Sequence, residues 1–228
     1  MTTEIDFLDR KIKLKKLPQD DDLLSDMIEQ LPYETRAVEV GAHVGKFSKQ
    51  ILERFNDALI IEGEEVNYEN LLLQFPQHKN KIMKCVVYND DKEHNWFFAT
   101  GSGSNALIMP LLDSQQRRMK KTKVKTVTLD TIDFNFDFIK IDCEGADFNI
   151  LRGAEKLIDK NKPLIYFEHS GENGALNHKY TKDIFFDFFK RKNYSLFLAS
   201  GDKFLPSMWY IDTKKETNSC NILAIPNR

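Results

Sequence analysis

The chain has 228 residues, 41% of them hydrophobic and 30% charged, with a formal net charge of −2. That length fits one full-sized core, and the near-neutral balance argues against a general electrostatic grip on nucleic acid. No stretch reaches the roughly 18 apolar residues that span a bilayer, and the early acids Glu4, Asp6 and Asp9 interrupt any signal-peptide core; with three scattered cysteines (Cys85, Cys143, Cys220) and no C-x-x-C pair, a cytoplasmic, reduced, membrane-free protein is expected.

Residues 1–35 mix charges with leucines. One of Asp20, Asp21 and Asp22 can cap a helix through Leu23, Leu24, Met27, Ile28 and Leu31, whose spacing is helical. The segment is expected to form an N-terminal helical cap on a main domain spanning 36–228. From there short apolar runs alternate with helical ones. Ala37 to Val40 reads as a strand, Phe47 to Phe55 as a helix, Ala58 to Ile61 as a strand and Tyr68 to Phe75 as a helix. Ile82 to Val87 reads as a third strand and Phe138 to Ile141 as a fourth, leading into a helix over Ala146 to Ile158. Pro163 to Phe167, Tyr194 to Leu198 and Asn221 to Ile225 supply further strands, with a phenylalanine-rich helix at Ile184 to Phe189. Such alternation predicts an α/β fold, a mostly parallel sheet with helices on both faces.

Residues 89–135 break this rhythm. Trp96-Phe97-Phe98 and Val124 to Leu129 read as extra strands around a flexible Gly101-Ser102-Gly103-Ser104-Asn105 loop. Long connections of this kind are often functional, so a cofactor or substrate contact is expected there. The basic run Arg117-Arg118-Met119-Lys120-Lys121 with Lys123 and Lys125 reads as a solvated loop, and no aromatic residues are interleaved with it.

Glu39-Val40-Gly41-Ala42-His43-Val44-Gly45 ends the first of the main-domain strands and opens a helix. Glycines there let the backbone turn sharply and approach a ligand, in the crevice where open parallel sheets bind theirs. A dinucleotide fingerprint needs G-x-G-x-x-G with pyrophosphate on the helix N-terminus, but residue 43 is His. Glu39 would repel a pyrophosphate, yet it can accept hydrogen bonds from the ammonium group of S-adenosylmethionine. Glu62 ends the next strand, where a carboxylate can accept two ribose hydroxyls. Gly63 beside it and Val87 at the end of the third strand border the same crevice.

Asp137-Phe138-Ile139-Lys140-Ile141-Asp142-Cys143-Glu144-Gly145-Ala146 is the second strong signal. Here the sequence resembles the FkbM family of S-adenosylmethionine-dependent methyltransferases, through Glu39 to Ser48, Ile61 to Leu72, Val127 to Ile132, Phe138 to Ala154 and Pro163 to Glu168. The resemblance implies a Rossmann-like class I methyltransferase fold with a seven-stranded, mostly parallel sheet, its last strand antiparallel. It also implies methylation of a hydroxyl on a small-molecule or glycan acceptor, often a sugar or glycosylated product. The family commonly has Asn at the position of His43 and Pro at that of Gly63.

An alcohol is a poor nucleophile while protonated, so a base or a metal helps it attack. Asp142 is the first candidate base, with Glu144 beside it; the pair could instead hold Mg²⁺, although the metal-free reading is preferred. Glu144 could equally accept backbone N–H groups at the helix start. His169 ends the fifth strand at the expected crevice rim and is a further candidate for the acceptor's proton. The cofactor-binding set is then Glu39, Gly41, His43, Gly45, Glu62, Gly63, Val87 and Asp142. A nicotinamide-dependent oxidoreductase is the main rival, and a non-catalytic cofactor-binding module the second. Two Tyr-x-x-x-Lys matches, Tyr88 to Lys92 and Tyr210 to Lys214, read as chance.

Overall fold

A computed structural model describes residues 3–8, 10–14, 20–99, 105–106, 119–198, 200–209 and 220–227. Gly101 to Ser104, Arg117, Arg118 and the Tyr210 to Lys214 match lie outside the described residues. The chain opens with a hairpin of β1 (Thr3–Phe7) and β2 (Arg10–Leu14), followed by α1 (Asp20–Gln30). The leucine spacing anticipated the helix but not the hairpin, whose short strands alternate charge with apolar residues.

The chain then runs β3 (Arg36–Val40), α2 (Ser48–Arg54), β4 (Asp57–Glu62), α3 (Glu65–Gln74) and β5 (Ile82–Lys84). Next come β6 (Val86–Val87), β7 (Glu93–Ala99), β8 (Asn105–Ala106) and β9 (Met119–Val127). The last part holds β10 (Phe138–Ile141), α4 (Asp147–Arg152), α5 (Glu155–Asn161), β11 (Leu164–His169), α6 (Gly171–Asn177), α7 (Lys182–Arg191), β12 (Tyr194–Leu198) and β13 (Cys220–Pro226). No helix among the described residues is long and apolar enough to cross a membrane.

Seven strands form the central sheet in the order β12-β13-β11-β10-β3-β4-β5. β13 pairs antiparallel with both neighbours, and the other pairs are parallel. This is the mostly parallel α/β sheet that the alternation predicted. Its strands are apolar on both faces because helices cover both. Val38, Val40, Ile139, Ile141, Ile165 and Phe167 bury one face against α4, α5 and α7, while Ala37, Ile60, Phe138 and Tyr166 bury the other with α1 and α2.

Three sequence expectations change in detail. The single strand expected over Ile82 to Val87 divides at Cys85, and β6 leaves the main sheet to pair with β9. The helix expected over Ala146 to Ile158 breaks at Gly153. A Cβ there would come within 2.3 Å of the Tyr88 carbonyl oxygen, so glycine permits the close approach at which the helix turns. β9 also ends at Val127, and Leu129 lies in a short 3-10 turn.

Candidate active site

The carboxyl ends of β3, β4, β6 and β10 surround a cavity of about 280 Å³. Gly41, His43, Glu62, Gly63, Val87, Asp142 and Glu144 all line it, so seven residues singled out in the sequence converge. The size lies at the lower edge of small-molecule sites.

The turn after β3 is built from left-handed backbone: Gly41 at φ +80°, His43 at +52° and Gly45 at +85°. At Gly41 this is compulsory, because a Cβ would lie 2.0 Å from the Asp142 carbonyl oxygen. The turn is fastened to both neighbouring strands: Gly41 N–H donates to the Ile61 carbonyl at 3.0 Å, and Asp142 N–H donates to that of Val40 at 3.0 Å. Gly45 packs on Leu71 and Phe75 rather than on the cavity.

Glu62 is 6% exposed. Its Oε2 accepts from His43 N–H at 2.7 Å and its Oε1 from Glu64 N–H at 2.8 Å. Burial raises its carboxyl above the ordinary range, against the lowering effect of those two hydrogen bonds. His43 is thus tied to the Glu62 carboxylate through its backbone. Each carboxylate oxygen keeps a lone pair for a hydroxyl.

Glu144 sits in a strained link, at φ +51° ahead of Gly145 at +92°. Loss of solvent, with the Glu168 and Asp142 carboxylates nearby, pushes its carboxyl up to about 7. Asp147 supports this link from within: its carboxylate accepts N–H from Cys143 at 3.3 Å and from Gly145 at 3.1 Å.

Two residues assigned to the crevice point elsewhere. Glu39 is wholly buried; Oε2 accepts from Ser48 Oγ at 2.6 Å and Oε1 is 3.1 Å from Lys140 Nζ. Its carboxylate is thus held within the sheet and does not line the cavity. His169 is 1% exposed and packs among Phe185, Phe204 and Trp209, with ring centroids 4.7 to 5.3 Å away. Strand alternation explains this, since His169 shares its face of β11 with Phe167 and Ile165. Burial lowers its imidazole to about 4. Tyr88 is also buried: its hydroxyl accepts from Asn149 Nδ2 at 2.7 Å and lies 3.1 Å from His178 Nδ1, which removes it from any catalytic Tyr-x-x-x-Lys arrangement.

The family profile for the methyltransferase FkbM domain matches residues 39–196. The chain belongs to the FkbM methyltransferase family. Among solved structures it is similar to methyltransferase FkbM from Methylobacillus flagellatus KT, at 15% identity and a TM-score of 0.50, covering 91% of this chain and 56% of that one. The chain thus spans a little over half the length of that relative. It also aligns with precorrin-6y C5,15-methyltransferase from Geobacter metallireducens GS-15, at 9% identity and a TM-score of 0.47, covering 93% and 91% of the two chains. No curated protein matches the sequence.

The FkbM cleft fits the family's cofactor, S-adenosylmethionine, by its own chemistry. Glu62 presents two carboxylate acceptors, as a pair of vicinal hydroxyls requires, and the Gly41 turn presents bare backbone. Val86, Val87, Cys85 and Trp96 give an apolar wall for a purine. Sequence reading expected a contact from the 89–135 stretch that supplies Trp96, but singled out none of Trp96, Asn67, Cys85, Val86 and Cys143 for this lining. Trp96 arrives on β7, in the stretch whose irregular pattern concealed its position.

Proposed function

We propose that the protein is an S-adenosylmethionine-dependent O-methyltransferase that acts on a hydroxyl of a small acceptor, a sugar or glycosylated molecule. The supporting observation is the Glu144 carboxyl, which lines the cleft and protonates near neutrality. A general base works best with a proton affinity matched to the working pH. The bound cofactor would supply an electrophilic methyl on sulfonium.

In this reading Glu62 holds the ribose, while Gly41, His43 and Gly63 present backbone to the cofactor and Val87 contacts its base. Glu144 takes the proton of the acceptor hydroxyl as its oxygen becomes nucleophilic. Asp142, whose side chain is 51% exposed at the cleft mouth, is the second acid of the site. His169 is left out of the proton path, because its ring is buried among Phe185, Phe204 and Trp209 and does not line the cleft. Gly45 acts by closing the turn against α3. The metal-free route is the one proposed, with Asp142 and Glu144 the carboxylates that would hold Mg²⁺ in the alternative. On this route turnover persists in a chelator, and its loss there would favour the metal.

The test is kcat/KM against pH. Glu144 is active when deprotonated, so the rate should rise with pH and level off above about 7. Glu144→Gln should lose that limb and about 10²- to 10⁴-fold in turnover. A native profile flat from pH 5 to 8 would contradict the assignment.

A further inference from the structure

Lys140 lies in the middle of β10, whose other residues, Phe138, Ile139 and Ile141, are completely buried. Lysine is almost never buried without a partner, and this one is only 4% exposed. Parallel pairing sets Lys140 opposite Glu39 on β3. Alternation along β10 sets Asp142, two residues on, on the same face. The ammonium consequently stands between two carboxylates, 3.1 Å from Glu39 Oε1 and 3.6 Å from Asp142 Oδ2, with the Phe47 ring centroid at 5.6 Å.

These three groups carry one net negative charge. Glu39 cannot present it, since that side chain is fully enclosed and bonded to Ser48. Asp142 can, being half exposed and part of the cavity lining. Its backbone also touches the Gly41 turn, where a Cβ would meet the Asp142 carbonyl oxygen at 2.0 Å. We propose that Lys140 is a positioning residue which, anchored on Glu39, draws Asp142 against the strand end and makes it the carboxylate that meets the ammonium of the cofactor's methionine end. The inference rests on the cofactor assignment above. It moves to the Lys140–Asp142 pair the work that the sequence alone gave to Glu39. Burial acts to lower Lys140, but Glu39 and Asp142 outweigh it and push the ammonium up to about 12, so Lys140 stays charged across the assay range.

The probe is S-adenosylhomocysteine, compared by calorimetry with the analogue in which hydrogen replaces its α-amino group. The ratio of the two dissociation constants isolates the ammonium contact. In the native protein the amine-bearing ligand should bind at least about tenfold more tightly, the scale of one charge-assisted hydrogen bond. Asp142→Asn should reduce the preference to below about threefold on the same scale.

Lys140→Met alone leaves Glu39 buried without a counter-charge and is expected to unfold the protein. The charge-neutral pair Lys140→Met with Glu39→Gln avoids this; it should melt cooperatively and lose the preference as fully as Asp142→Asn. Adding Asp142→Asn to the pair should change nothing further. Glu39→Gln by itself keeps the lysine and its Ser48 contact but leaves Lys140 to neutralise Asp142, so the preference should again fall. An undiminished preference in Glu39→Gln or in the neutral pair would overturn the role of Lys140. An undiminished preference in Asp142→Asn would overturn that of Asp142. If the native protein bound neither ligand, the cofactor assignment itself would fall, and the proposal with it.

Discussion

Oε2 of Glu62 accepts the backbone N–H of His43 at 2.7 Å, which fastens the acid ending β4 to the glycine turn that follows β3. Since Oε1 accepts from Glu64 N–H, both oxygens face backbone donors. Glu62→Gln must turn an amide NH₂ toward one of them. A loss of about 1–3 kcal/mol is expected from the unpaired buried donor, with S-adenosylhomocysteine affinity at least about tenfold weaker. Thermal melting and calorimetry on the same sample check both effects; a variant with native affinity would remove Glu62 from the cofactor site.

Gly41→Ala should be among the most damaging substitutions in the cleft. It places a methyl 2.0 Å from a backbone oxygen at a φ of +80°, and a cost of roughly 3 kcal/mol follows from strain and overlap together. Gly153→Ala meets backbone at 2.3 Å but lies against Tyr88, outside the cavity lining. Both variants should melt early, yet only Gly41→Ala should also lose cofactor affinity in the cold. Equal affinities in the two would show that the glycine turn does not shape the site.

The central sheet was legible because short continuous apolar runs alternating with helical ones are a strong pattern, and Glu39, Gly41 and Asp142 stand at or near the ends of those runs. What the pattern does not carry is side-chain direction across neighbouring strands. Glu39 looked available to a ligand because its partner, Lys140, is about a hundred residues away and meets it only through parallel register. The signal was present in the lysine itself, a charge inside Phe-Ile-Lys-Ile that demands a buried acid. His169 could also have been placed by counting two residues on from Phe167, onto the face the α7 phenylalanines cover. Trp96 could not, because β7 pairs with β9 across a long insertion.

Two buried imidazoles should make the protein acid-sensitive. Burial lowers His169 and His178 from 6.5 to about 4, so the folded state holds them neutral while the unfolded chain binds protons below pH 6.5. Their contribution is complete above pH 6.5 and is lost as pH falls toward 4, by up to about 3 kcal/mol for each at 1.36 kcal/mol per pH unit. Urea melts between pH 7 and 4 measure this. His169→Phe, which suits the surrounding Phe185, Phe204 and Trp209, should flatten the slope; a slope unchanged by that substitution would mean that His169 is not the titrating group.

The most direct test of hydroxyl methylation uses S-adenosylmethionine carrying a carbon-13 methyl, incubated with the protein and an extract of its host cells. Mass spectrometry would isolate the labelled product and carbon-13 resonance would identify the atom bearing the label. Attachment to oxygen, abolished in Glu144→Gln, is the expected result. Label on nitrogen or carbon, or transfer to oxygen at native rates in that variant, would contradict it.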